Sequence, residues 1–473
     1  MTARRRTGEG ASMIKADAAV IGFGKGGKTI AGALAGSGKT VVMIEKSDRM
    51  YGGTCINVAC IPTKSLVHSA ALSAAQGGSF KEKAERYEKA IEEKDRLTEM
   101  LRGKNYHKLA DNGNVTVLNG TGSFADSTHV KVKMADGKEE EIEAGKIFIN
   151  TGARPFVPPI PGLDESRYAF VSEELLDQKK LPHYLTIVGG GYIGMEFASM
   201  YANFGSHVTV VQDGAQFLPR EDSEIADAVE KSLEDRGIEI LKSTKILRVE
   251  DRGGQAVMTV EIAGEEGAEP DTEEIYSDAI LVATGRRPNT EDLNPEAAGV
   301  ELTERGAVKV DAGLKTTADN IWAMGDIVGG LQFTYISLDD FRIVKSQILG
   351  DGTRSTENRG AVPYSVFLDP PFSRVGMTEK EALDKGYQVR IFKLPAAAIP
   401  KAQVLRKPAG LLKAVVDEKT GKILGAHLFC EESYEIINLL KLAIDQGIPY
   451  TVLRDSIYTH PTMTEGLNDL FAG

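Results

Sequence analysis

ADAAVIGFGKGGKTIAGALAGSGKTVVMIEK (16–46) and LTIVGGGYIGMEFASMYANFGSHVTVVQD (185–213) share one outline. Each passes from a short β-branched apolar run through a glycine-rich turn into a helix of small residues, then into a second apolar run. The glycines read G-x-G-x-x-G both times: Gly22, Gly24, Gly27 and Gly189, Gly191, Gly194. In a strand–turn–helix setting the first glycine makes the tight turn and the second lets backbone approach a pyrophosphate. The third lets the helix pack on its strand. The helix start then offers unpaired N–H groups and the positive end of its dipole to phosphate. One such match reads equally well as a plain glycine-rich turn; two, each in full βαβ context, predict two dinucleotide-binding units.

The second strands end differently. Glu45 closes VVMIE, 23 residues after Gly22, where a carboxylate can take both ribose hydroxyls, with Lys46 beside it. Gln212 holds the corresponding place in the second unit. It can bond a ribose hydroxyl but brings no charge to repel a 2′-phosphate, so NADH and NADPH both stay open.

Outside these units, composition narrows the classes. Acids outnumber bases 68 to 56, a net charge of −12, which argues against nucleic acid or an anionic membrane as partner. The arginines of MTARRRTGEGAS are followed by no apolar run, and 186–211 contains Glu196, His207 and five glycines. Neither reads as a secretory signal or a membrane span. Three cysteines in 473 residues make no disulfide framework, so a cytoplasmic protein is expected.

Two of those cysteines stand close together in YGGTCINVACIPTK (51–64), at Cys55 and Cys60. Extended chain would hold them about 17 Å apart, whereas a disulfide needs Cα atoms roughly 4.4–6.8 Å apart. The chain must curl for them to pair, and Gly52, Gly53 and a helix beginning near Cys60 would permit it. A thiol at a helix start is stabilised as thiolate. Two unpaired buried cysteines or half a zinc site are the alternatives, although C-x4-C is not the usual zinc spacing. Two nucleotide sites beside a redox cysteine pair imply FAD in the first, fed by a nicotinamide nucleotide in the second, because a disulfide is a poor direct acceptor of hydride.

The motifs GGTCINVACIPTK, TGARP, GGGYIGMEF, ATGRRPN, MGDIVGG and HPTMTE occur in the order found in the class I pyridine nucleotide–disulfide oxidoreductases, and the chain from about residue 14 onward resembles that family. Within it YGGTCIN, ASMYANFGS, GGLQFTYISLDDFRIV and LNDLF look like the reactive-chlorine-resistance, mercuric-reductase-like flavoproteins linked to copper(II) reduction. The resemblance implies an α/β fold with two Rossmann-like dinucleotide-binding domains, for FAD and NAD(P), and an α+β C-terminal dimerisation domain. Expected boundaries are a disordered extension over 1–12, an FAD domain over 13–155 and 285–354, an NAD(P) domain over 156–284 and an interface domain over 355–473. The charged stretch 80–111 is expected to be a solvated helical excursion.

By the same resemblance Cys60 is the flavin-proximal sulfur and Cys55 the one that meets substrate. Lys64 lies near the flavin and pairs with Glu196, and Asp326 holds the ribityl chain. A helix over 332–345 points its start at the flavin. His460 and Glu465 act as a base across the interface of an obligate homodimer, although His-Pro alone reads as a surface turn. Cofactor contacts are expected from Gly22, Gly24, Gly27, Glu45, Lys46, Gly53, Thr54, Lys64, Thr151, Gly152, Asp326, Gln332 and Phe333, and from Gly189, Gly191, Tyr192, Ile193, Gly194, Glu196, Gln212 and Gly285. Two departures stand out. Ala59 replaces the glycine usual in dihydrolipoamide dehydrogenases, and the C-terminus lacks the vicinal cysteines of mercuric reductases. Cys430, in an apolar strand, is expected in the core.

The expected function is an FAD-dependent NAD(P)H oxidoreductase passing electrons through Cys55–Cys60 to a thiophilic acceptor. Cu(II) or a related metal ion, bound transiently by the two thiolates, is the expected acceptor, in defence against reactive chlorine. A disulfide reductase such as dihydrolipoamide dehydrogenase is the second reading, and an FAD-binding redox sensor a third.

Overall fold

The computed structural model describes residues 5–6, 12–264 and 269–473. Of the expected extension, Arg5–Arg6 form a short strand antiparallel to Ser12–Ile21, which begins at Ser12. The rest of 1–12 lies outside the described residues. The chain divides into two compact units.

The first unit comprises Met1–Ser65, Ile91–Phe156 and Gly285–Arg359. Its sheet is parallel at the centre, with strands Val115–Phe124, Val41–Glu45, Ser12–Ile21, Glu139–Ile149 and Ile321–Ala323 side by side. His129–Met134 joins Val115–Phe124 and Glu139–Ile149 as an antiparallel strand. Ala18 and Val20 enter one apolar core and Ala19 and Ile21 another, so both faces are covered. That is why this strand reads as an unbroken apolar run rather than an alternating one. The motifs TGARP and ATGRRPN meet as a ribbon, Ala153–Pro155 antiparallel to Arg286–Pro288.

The second unit comprises Leu66–Ala90, Val157–Thr284 and Gly360–Gly473. It holds a parallel sheet in the order Glu239–Leu241, His207–Val211, Tyr184–Val188, Ala279–Val282, Ala169–Val171. A three-stranded antiparallel meander, Thr244–Arg252, Gln255–Ile262 and Asp271–Ser277, lies in the chain between Glu239–Leu241 and Ala279–Val282. The C-terminal part is a five-stranded antiparallel sheet, and helix Ser433–Asp445 buries Ile436, Ile437 and Leu440 in the same core as its strands. Cys430 is fully buried in that core, and burial pushes its thiol up to about 12.

The charged stretch is one helix, Phe80–Ala110, but it is more than a solvated excursion. Tyr87, Ala90, Ile91, Lys94 and Thr98 are buried, a stripe at helical spacing. The charges occupy the other face and hide that stripe in the composition.

Candidate active site

Both fingerprints fold as their glycines require. Gly22 has φ +104° and Gly189 φ +108°, and a Cβ on either would lie 2.2 Å from the Asn150 carbonyl oxygen or 2.6 Å from that of Ala283. A Cβ on Gly27 or Gly194 would meet the Gly22 or Gly189 oxygen at 2.3 or 2.2 Å. They differ at the second glycine. Gly24 abuts Asn150 Oδ1, which accepts the Gly27 N–H at 2.8 Å, while Gly191 faces open space. Helices Lys25–Gly36 and Tyr192–Phe204 both start at a glycine with no side-chain cap.

Glu45 ends its strand buried, its carboxylate accepting the N–H of Phe23 at 2.9 Å and that of Ser47 at 3.2 Å. Burial raises its pKa, and burial likewise raises that of Asp326, against the pull of Arg286. Two desolvated carboxylates beside an uncapped glycine helix are what the hydroxyls and phosphates of a dinucleotide satisfy, so this unit fits FAD. Thr151, Gly152 and Gly285 lie at the ribbon. Thr151 Oγ1 donates to the Asn289 carbonyl, and Asn289 N–H to that of Gly152. Lys46 directs its ammonium to Asp292 at 2.8 Å.

In the second fingerprint Gln212 turns inward, donating Nε2 to the carbonyls of Gly214 and Gln216, and only its oxygen is left to accept. Tyr192 donates its hydroxyl to the buried Glu221, which also accepts that of Tyr364 at 2.6 Å. Ile193 follows Tyr192 in the first turn of the same helix. Glu196 accepts the Phe367 N–H at 2.9 Å. The open Gly191 and the uncapped helix start fit a second dinucleotide.

The cysteine loop is built onto the first fingerprint. Gly52 and Gly53 take φ +97° and +77°, and a Cβ on Gly53 would fall 2.5 Å from Gly24 Cα, so only glycine lets the two loops touch. Thr54–Asn57 forms one helical turn carrying Cys55, and Cys60 begins helix Cys60–Gln76, which also carries Lys64. Asn57 locks the curl, donating to the carbonyls of Tyr51 and Gly53 while accepting from Arg102. Tyr106 packs its ring 4.6 Å from that of Tyr51.

Cys55 carries a thiol here. A hydrogen bond from Cys60 to the Cys55 sulfur, joined by one from Thr334 and by the charges of Lys28 and Lys64, brings Cys55 down to about 6 against the opposing effect of burial. Cys55 therefore gives up its proton readily to form the nucleophilic thiolate. Alkylation of reduced protein by iodoacetamide should follow a titration with its midpoint near pH 6, fast above and slow below. Thr334→Val should move that midpoint upward. A midpoint at the ordinary thiol value, read by trapping followed by peptide mass analysis, would refute the assignment.

Thr334 opens helix Thr334–Leu349, the helix expected over 332–345; Gln332 is exposed and Phe333 stacks on Tyr335 at 5.1 Å. His460 Nδ1 bonds Glu465 Oε2 at 2.8 Å, which lowers the carboxyl's pKa, while the rest of the imidazole is exposed. The loop thus brings Cys55, Cys60, Thr334, Lys28 and the first fingerprint together. Sequence reasoning assigned no site role to Thr334, Lys28 or Asn150, although Thr334 lies in GGLQFTYISLDDFRIV and Lys28 in the first fingerprint helix. Among the described residues no group of three or more His, Cys, Asp or Glu could hold a metal ion, and no helix is long and apolar enough to cross a membrane.

The family described as pyridine nucleotide-disulphide oxidoreductase matches residues 16–340, and that described as its dimerisation domain matches 362–471. The chain is 49% identical to the Escherichia coli pyridine nucleotide-disulfide oxidoreductase RclA over 97% of its own length and 99% of that protein. It is 36% identical to the mercuric reductase of Bacillus cereus over 90% of its length and 66% of that protein. Among solved structures it is similar to the Cu(II) complex of the HOCl-induced flavoprotein disulfide reductase RclA, with TM-score 0.89 over 97% of this chain and 99% of the other.

Proposed function

Since the chain belongs to the pyridine nucleotide-disulphide oxidoreductase family, whose oxidoreductases use FAD and NAD(P)H, we propose that it reduces a thiophilic acceptor through Cys55 and Cys60, with Cu(II) or a related metal ion as acceptor, in defence against reactive chlorine. Bound at the two fingerprints, the nucleotides supply a two-electron reductant. Residues 13–155 with 285–354 would hold FAD, 156–284 the nicotinamide nucleotide, and 355–473 the dimer contact.

The observation that carries this reading is the acidic Cys55 thiol, hydrogen-bonded by Cys60 on a loop packed against Gly24. Such a pair passes electrons outward as two thiolates and returns as a disulfide. Two soft sulfur ligands without a third suit a metal that binds, is reduced and leaves. A solved RclA structure in complex with Cu(II), at 49% identity, supports the metal reading. Anaerobic NADH consumption with Cu(II), Hg(II), lipoamide and glutathione disulfide tests the choice. Turnover with lipoamide and none with a metal would replace the metal reading with disulfide reduction.

We further propose that His460, tautomer fixed by Glu465, serves Cys55 of the other subunit as its base. Ile457, three residues before it, is fully exposed and Val452 half-exposed, apolar area of the kind a partner covers. His460→Ala should lower acceptor turnover by about 10²-fold. Mixed dimers of Cys55→Ser and His460→Ala chains should regain activity, because one site then has both an intact Cys55 and the partner's His460. If both groups acted within one chain, the mixture would stay inactive.

A further inference from the structure

Lys28 lies on the fingerprint helix, where no dinucleotide contact calls for a lysine, and it is half-buried. Its ammonium donates to Asn105 Oδ1, and Asn105 is anchored in turn by donating Nδ2 to the Leu101 carbonyl at 2.7 Å. Asn105 packs where a Cβ on Gly52 would be, its Cγ 3.3 Å away, so the ammonium is pinned against the turn that leads into Cys55. Burial lowers Lys28 to about 8, with Lys25 and Lys108 acting in the same direction and Cys55 opposing them. Lys28 therefore remains charged at pH 7. Lys64 is the second cation acting on Cys55. In a chain of net charge −12, two lysines thus act on this thiol.

We propose that Lys28, held by Asn105 against the cysteine loop, makes the approach to Cys55 selective for acceptors whose reacting end is anionic. A thiophilic metal is then taken as a negatively charged chelate rather than as a free cation. The metal in this statement rests on the function proposed above; the selectivity rests only on the surroundings of the thiol. The charge of Lys28 disfavours the approach of a free metal cation to the sulfur, whereas an anionic complex is drawn in.

The test compares alkylation of Cys55 in NADH-reduced holoenzyme by iodoacetate, an anion, and iodoacetamide, its neutral analogue. Their rate ratio, divided by the same ratio for free N-acetylcysteine, cancels the fraction of thiolate, so a lysine that merely ionised the thiol would leave it unchanged. We expect the normalised ratio to be about tenfold at low ionic strength. It should collapse in 0.5 M salt, at a screening length of roughly 4 Å. Lys28→Gln should reduce it toward one, and Lys28→Arg should keep it. Copper(II) nitrilotriacetate should likewise outperform the cationic copper(II) ethylenediamine complex as acceptor.

A normalised ratio of one, insensitive to salt, overturns the proposal and leaves the proposed function untouched. A raised ratio that survives Lys28→Gln overturns the role of Lys28. A raised ratio lost in Lys28→Gln, with no NADH consumed on either copper complex, supports the anionic entrance and removes the metal. Should Lys28→Gln fail to fold, the salt dependence of the unmodified enzyme decides.

Discussion

In the Cys55→Ser enzyme, NADH-driven flavin reduction should persist while acceptor turnover falls by at least about 10³-fold. Serine keeps the shape of the turn, since Asn57, Gly52 and Gly53 hold the curl without help from the sulfur. It loses the charge. The hydrogen bonds of Cys60 and Thr334 that bring a thiol down to about 6 act on a hydroxyl that starts far higher, and no nucleophilic anion forms at neutral pH. Cys60→Ser should also stop turnover but for another reason, and it should abolish the long-wavelength thiolate–flavin absorbance seen on two-electron reduction. Stopped-flow absorbance followed by steady-state assay separates the two. If Cys55→Ser kept its acceptor turnover, electrons would be leaving by a route that avoids the cysteine pair.

The second large effect is on stability. Lys413, on the interior strand Leu411–Asp417, is buried with its ammonium 2.7–3.0 Å from carboxylate oxygens of Asp222, Glu224 and Glu379. Burial alone would lower its pKa, but hydrogen bonds with Glu224, Glu379 and Asp222 outweigh it, and the net direction is up. Glu224 has a second cation in Lys393, at 2.6 Å, and is half-exposed; Asp222 is buried. Lys413→Met therefore strands Asp222 above all. We expect a loss of about 3–5 kcal/mol, read as a fall in the thermal midpoint on the order of 5–10 °C. Adding Asp222→Asn should restore part of it. If the double variant were less stable than Lys413→Met, the cost would lie in lost packing of the lysine stem and not in an unpaired charge.

What the sequence disclosed is what physics writes locally. A glycine needed at positive φ against a carbonyl, as at Gly22 and Gly189, has no substitute, so both fingerprints and the doubly covered sheet could be read from the residues. The cysteine turn was legible for the same reason, in Gly52 and Gly53. The paired segments around 153 and 286 showed through their prolines. The remainder depends on partners far away in the chain. Thr334 acts on Cys55 from 279 positions away. Asn150 and Lys413 are ordinary polar residues until the fold buries them. Helix Phe80–Ala110 reads as a solvated excursion because its charges outnumber the buried stripe formed by Tyr87, Ile91 and Lys94.

Asn150 has a consequence for how the protein is made. Its Oδ1 fixes the first fingerprint through Gly27, and its Nδ2 donates to the Met324 carbonyl, 174 residues later. The neighbouring strand Ile321–Ala323 joins the same sheet. The parallel sheet of the second unit, by contrast, has all its strands between Ala169 and Val282. On the ribosome that inner sheet can close while the first cradle still lacks its last strand. At about 5–20 residues per second, the amino-terminal half of the cradle that would hold FAD waits many seconds for its other half to emerge. Completion of that cradle is thus a late event in the life of the nascent chain, timed by translation.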